Sequence, residues 1–213
     1  MAIASLVISI IVAVAVVYRE FIHDRIFKPK LEIQFSLDEP ISRVTTVEYL
    51  AEPQGYKLAF WPRLRVRNNG LRIAHRCVGM LDEMRKPDGS LDTRYDPIML
   101  RWAIAPLERG LQPLDIERGR TVDLNTFTTI DGLPNADFAT YPDARGIPLY
   151  LEPGHHWLLI SIYGENFSPF RAGYAVYWDG KDYTNGVKMR EMKKKPAKIS
   201  DWPFPIDDKS TEI

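Results

Sequence analysis

Hydrophobic positions follow two rhythms along the chain. Residues 1–18 carry no charged side chain and form one apolar run, whereas from Pro29 onward apolar and polar residues alternate. The run predicts a helix of about 27 Å. That is just short of a ~30 Å hydrocarbon core, and Phe21 and Ile22 can supply the missing turn. A transmembrane helix with its juxtamembrane segment is therefore expected over 1–27. Cleavable signal peptides carry basic residues ahead of the apolar stretch and a small-x-small cleavage site after it. Here Val16-Val17-Tyr18 runs straight into Arg19, so an anchor is the better reading.

Beyond the anchor the alternation has period two, which marks half-buried strands. Leu31, Ile33, Phe35 and Leu37 share one face, and Leu58, Phe60, Leu64 and Val66 define a second strand that ends in Asn68-Asn69-Gly70. Ala74 to Met84 predicts a return strand, with Gly79 marking a bulge or a close backbone approach. Pro87-Asp88-Gly89-Ser90 is a turn. A short edge strand is expected within Asp96–Trp102, two more over Pro113–Ile116 and Thr121–Thr128, and a surface loop from Asp131 to Gly146. His156–Gly164 reads as a densely apolar central strand and Phe170–Trp178 as its hairpin partner. Some seven to nine strands without a long helix predict an all-β, antiparallel β-sandwich over 28–187. A basic, then Pro-rich and acidic tail follows over 188–213.

Charge changes the picture in one place. The whole chain balances 28 Lys plus Arg against 28 Asp plus Glu. No electrostatic footprint favours a nucleic acid partner. Locally, Arg19, Arg25, Lys28 and Lys30 follow the apolar run, and the positive-inside rule puts them in the cytoplasm. The expected topology is a single-pass protein of the cell membrane with its N-terminus outside and its β domain cytoplasmic. In the tail, Lys188, Arg190, Lys193, Lys194, Lys195 and Lys198 gather against one acid, Glu191. These six residues are candidates for contact with anionic lipid headgroups; the alternative is a solvated tail.

Candidate chemistry is sparse. The single cysteine, Cys77, rules out an internal disulfide framework and reads as a buried strand thiol. Among His23, His75, His155 and His156 none has ligand spacing, since neighbours on a strand point to opposite faces. Asp82-Glu83 and Asp207-Asp208 do not form an acid/base dyad, and no nucleophile elbow or phosphate loop occurs. No enzyme activity, cofactor or metal is expected. A hydrolase would require scattered groups such as Asp131, Asp137 and His155 to converge. Trp61, Tyr163, Tyr174, Tyr177 and Trp178 either line a sugar-binding face or fill the core, and the dense apolar strands around them favour the core. Trp202-Pro203-Phe204-Pro205 either docks a partner groove as an extended segment or packs back on its own domain.

Three stretches carry a resemblance: Leu64 to Gly70 followed by Ala74, Ile116-Glu-Arg-Gly119-Arg-Thr-Val122, and Pro153-Gly154 leading to Glu165-Asn166. In this order they resemble the strand and turn pattern of the immunoglobulin-like, cell-adhesion-related domains found in bacteria. The match covers about a quarter of the chain, and the segment from Lys86 to Gln112 is longer than the family's usual connection. Together with the N-terminal anchor, Asp96-Pro97 and Pro113-Leu-Asp115-Ile116, the chain is also similar to uncharacterised membrane-anchored prokaryotic proteins. The resemblance implies an immunoglobulin-like sandwich and no activity. Its usual place is the cell exterior, whereas the charges after the apolar run point inward. The expected function is thus a membrane-anchored, non-enzymatic module that binds or scaffolds another protein. The alternative is a surface ligand- or carbohydrate-binding module that uses exposed aromatic rings.

Overall fold

The computed structural model describes residues 2–19, 27–35, 37, 43–50, 55–92, 97–104, 110–140, 149–194 and 201–204. A single α-helix, α1 (Ala2–Val17), precedes β1 (Leu31–Gln34), β2 (Arg43–Leu50), β3 (Gly55–Asn68), β4 (Ala74–Arg85), β5 (Ile98–Leu100) and β6 (Leu114–Ile116). There follow β7 (Thr121–Asn125), β8 (Phe127–Ile130), β9 (Ala136–Phe138), β10 (Tyr150–Leu151), β11 (Gly154–Tyr163), β12 (Phe170–Trp178) and β13 (Val187–Met192).

α1 is 16 residues long, about 24 Å at the helical rise, and Tyr18 and Arg19 continue it as a π turn. Among the described residues no helix is long and apolar enough to cross a membrane. The described helix is therefore apolar but shorter than the transmembrane helix expected over 1–27. Phe21 and Ile22, on which the expected span relied, lie outside the described residues.

All strand pairings among the described residues are antiparallel. One sheet runs β1-β3-β8-β9-β10, with β2 and β7 also paired to β3; the other runs β13-β12-β11-β4-β5, with β6 on β4. Strand β3 organises the first sheet because its 14 residues outlast any one partner. On one edge its first half pairs with β2 and its last residues with β1; on the other it pairs with β8 and then β7. The change of partner falls at Pro62, which has no N–H to donate. Opposite it Thr126 is an extra residue whose N–H and hydroxyl both donate to the Pro62 carbonyl, at 3.3 and 2.8 Å.

The two sheets share one apolar core. Leu64, Val66, Leu124 and Phe60 from the first meet Leu81, Leu158, Ile160, Tyr174 and Trp178 from the second. Gly79 marks a close approach between the sheets: a Cβ there would lie 2.6 Å from a Leu124 methyl. The irregularities in β4 lie elsewhere, between Ala74 and Cys77 and opposite Leu159/Ile160. The Pro87–Ser90 turn forms as expected, with Gly89 at φ 81° and the Asp88 carboxylate accepting the Ser90 N–H at 2.8 Å.

Three connections differ from the sequence reading. Strand β2 was not anticipated, although Val44-Thr45-Thr46-Val47 is rich in β-branched residues. The loop expected from Asp131 contains β9, while 141–148 lie outside the described residues. The segment expected to begin a basic tail joins the second sheet as β13, paired to β12 from Val187↔Trp178 to Met192↔Gly173.

One polar knot fastens the start of the domain. Asn68 is fully buried. Its Nδ2 donates to the carbonyls of Arg72 (2.7 Å) and Ile116 (2.9 Å), and its Oδ1 accepts from the N–H groups of Gly70 (2.9 Å) and Lys30 (3.3 Å). Gly70 must be glycine for this closure, since a Cβ would sit 2.3 Å from the Lys30 nitrogen. One side chain thus ties the approach to β1, the β3–β4 turn and β6.

Candidate interaction site

Strand β13 is an edge of the second sheet, and its alternation sends residues to two surfaces. Val187 and Met189 are buried on the inner face, whereas Lys188 and Arg190 are exposed. Charged side chains of this kind on an edge strand oppose unplanned strand pairing. Lys193 and Lys194 follow, also exposed. Lys195 and Lys198 lie outside the described residues. Four of the six candidate lipid-contact residues are therefore brought to one sheet edge and its exit.

Along that edge a groove of about 560 Å³ opens between the two sheets. Its apolar lining comes from Phe35, Leu37, Phe60, Val187 and Met189, its rim from Lys188, Arg190, Glu191, Thr184 and Asn185, and Phe204 closes one side. The β12–β13 turn that forms the rim is held by Asp182. Its Oδ1 accepts the N–H groups of Thr184 (3.0 Å) and Asn185 (2.9 Å) and the Thr184 hydroxyl (2.9 Å). These bonds to the charged form pull the carboxyl down to about 2.

On the outer face of the same sheet, His155, Trp157 and Leu159 of β11 align with Tyr177, Ala175 and Gly173 of β12. The Trp157 indole lies over Gly173, where a Cβ would come within 2.9 Å of it. Residues 201–204 return to this surface. Trp202 is buried against Trp157 and Ala175, with Leu159, Met192 and Phe204 at the margin. Its ring meets His155 edge-on at 5.6 Å, His155 leans on Tyr177 at 4.7 Å, and the Lys188 ammonium sits 5.4 Å from the Tyr177 ring centre. Burial, and then the nearby Lys188 charge, push the His155 imidazole below its ordinary value.

This seat is apolar in shape yet polar in three atoms. Among the described residues, His155 Nε2, Trp157 Nε1 and Trp202 Nε1 are buried and find no hydrogen-bond partner. The other tryptophans contrast with them. Trp61 donates to Thr46 Oγ1 at 3.0 Å, Trp102 to the Cys77 carbonyl at 3.3 Å and Trp178 to the Pro134 carbonyl at 2.8 Å.

The remaining candidates do not assemble into a site. Trp61, Tyr174 and Trp178 are buried, and the Tyr163 hydroxyl donates to Asp82 at 2.9 Å, so the five rings form no exposed platform. Asp131 lies in the turn between β8 and β9 and Asp137 in β9 of the first sheet, whereas His155 is on the outer face of the second. His156 points inward, its Nε2–H donating to the Glu152 carbonyl at 2.9 Å. His75 pairs with Asp115 at 3.0 Å. Cys77 is buried, and desolvation pushes its thiol up to about 12, which keeps it unreactive. Among the described residues no group of three or more His, Cys, Asp or Glu could hold a metal ion.

Alternation alone places His155 with Trp157 and Tyr177 with Ala175. What it does not reveal is that Trp202 reaches this face from beyond the last strand. Of the two readings of the Trp-Pro-Phe segment, the structure selects packing on its own domain. No protein-family model, curated protein or solved structure matches this chain.

Proposed function

We propose that this chain is a membrane-anchored, non-catalytic β-sandwich of the immunoglobulin-like kind that binds a partner protein along the β13 edge. The observation that carries the anchor is the surface of α1. Val7, Ile8, Ile10, Ile11, Val12, Val14, Val16 and Val17 are each 47–62% exposed, on all sides of the helix. A helix that is apolar all round suits a buried or lipid environment, and Tyr18 is an interface type of residue. Two packed antiparallel sheets are the architecture that an immunoglobulin-like sandwich requires.

Anchoring at the cell membrane with the β domain in the cytoplasm is the reading that Arg19, Arg25, Lys28 and Lys30 favour. In that setting Lys188, Arg190, Lys193 and Lys194, with Lys195 and Lys198, contribute contacts to anionic headgroups at about 1 kcal/mol per cation near the surface. The groove beside them supplies an apolar cleft for a protein segment.

Two measurements test this reading. The full chain is expected to float with vesicles of neutral phosphatidylcholine, which leave the basic residues without anionic partners, and a form lacking residues 2–17 to stay at the bottom; equal flotation would overturn the anchor. A photo-cross-linking residue in place of Met189, in intact cells, is expected to capture a discrete protein that the same residue at exposed Tyr56, on the other sheet, does not. Identical patterns from both positions would remove the groove.

A further inference from the structure

The geometry points to the outer face of β11 and β12 as a second binding site, specific for an extended Trp-Pro-aromatic segment of a partner protein, which this chain's own Trp202–Phe204 occupies in competition. The inference rests on the proposed role as a protein-binding module, and it names the partner's chemistry and the regulation.

Three observations carry it. The seat already holds such a segment: residues 201–204 arrive from beyond β13 and place an indole against Trp157 and Ala175, edge-on to His155. Proline at 203 presets φ, so a segment of this kind loses little backbone freedom on docking.

The fit is also incomplete. His155, Trp157 and Trp202 are all more than nine-tenths buried, yet His155 Nε2, Trp157 Nε1 and Trp202 Nε1 have no partner. Buried polar groups left unpaired carry the full desolvation penalty, whereas the core tryptophans of the same domain are all paired. The Trp202 ring therefore holds its place by shape and by high effective concentration rather than through its own N–H. An incoming segment of similar shape that also offers a backbone carbonyl to the Trp157 N–H and a partner to His155 Nε2 would bind this seat better than the chain's own tail does.

Finally, the seat adjoins the groove. Phe204 packs at the margin of the Trp157 cluster and also lines the groove, and Lys188 lies over Tyr177 while lining the same groove. A partner segment that displaced Trp202 would lead directly onto the β13 edge.

The test uses the full chain in detergent micelles and a fluorescently labelled peptide of residues 198–208. Wild type is expected to bind it weakly, because the seat is filled. Trp202→Ala is expected to bind at least tenfold tighter, and Phe204→Ala, which loosens the segment without opening the indole site, about threefold tighter. The same peptide carrying Trp202→Ala should not bind either variant. Equal affinity of wild type and both variants, or no binding to any, overturns the inference. Because Phe204→Ala leaves Trp202 in place, the comparison survives a folding defect in Trp202→Ala. Failure here with the Met189 cross-link intact removes the seat and leaves the protein-binding reading; loss of both removes both.

Discussion

Two buried polar places in this domain behave in opposite ways. Around Asn68 a single amide is inserted among backbone groups and all four of its bonds are made. Around Trp202 three ring nitrogens are also buried, and among the described residues none is paired. A fully satisfied network rigidifies the elements that it joins, whereas a partly satisfied one is held only by packing. Asn68 belongs to the permanent frame of the fold. The Trp202 seat belongs to a surface that exchanges its cover.

The largest expected effect breaks the frame. Asn68→Leu removes the amide and strands the backbone groups of Lys30, Gly70, Arg72 and Ile116, at a cost of about 3 kcal/mol. Urea denaturation should show a lower midpoint at an unchanged m-value. A loss below about 0.5 kcal/mol would mean that the knot is not structural.

A smaller effect is expected at the seat. Trp202→Ala should destabilise the domain by about 1–2 kcal/mol, below the ~3–5 typical of a core tryptophan, because its removal also relieves a buried, unpaired N–H. Thermal unfolding of the two variants side by side sharpens the comparison. If Trp202→Ala proves the more damaging, the segment is part of the core and the contrast collapses.

The smallest effect is local. Asp182 holds the turn beside the groove only while ionised, and its folded value lies near 2, against an ordinary 3.8. A carboxyl that is depressed in the folded state contributes stability that is present above its unfolded value and is lost as pH falls through the folded one. Amide exchange at Thr184 and Asn185 should stay protected at pH 4 and open on approach to pH 2, and Asp182→Asn should weaken that protection at neutral pH. Protection that persists in Asp182→Asn at every pH would show the turn to be held by something else.

What the sequence determined by itself is whatever depends on short-range pattern. Period-two alternation specifies Leu31 and Ile33 as one face of β1, and the apolar density of Trp157–Ile162 specifies a central strand, because burial on one or both faces is written in every second residue. Turn chemistry is equally local, as at Pro87–Ser90. Gly79 announced a close approach, though not to Leu124, which is 45 positions away in the chain.

The tertiary structure decided the rest. The basic residues from Lys188 became an edge strand because Tyr174, Val176 and Trp178 left an unpaired ladder beside them, and nothing within Val187–Met192 states that requirement. The same holds for Asn68, which reads as a turn residue until Lys30, Arg72 and Ile116 converge on it. Trp202 could dock outward or inward, and the apolar surface of Trp157 and Ala175 decided it. Pattern specifies which face of a residue is buried, since that depends on its neighbours in sequence; which surface buries it depends on contacts between distant segments, and these are set only when the chain has closed on itself.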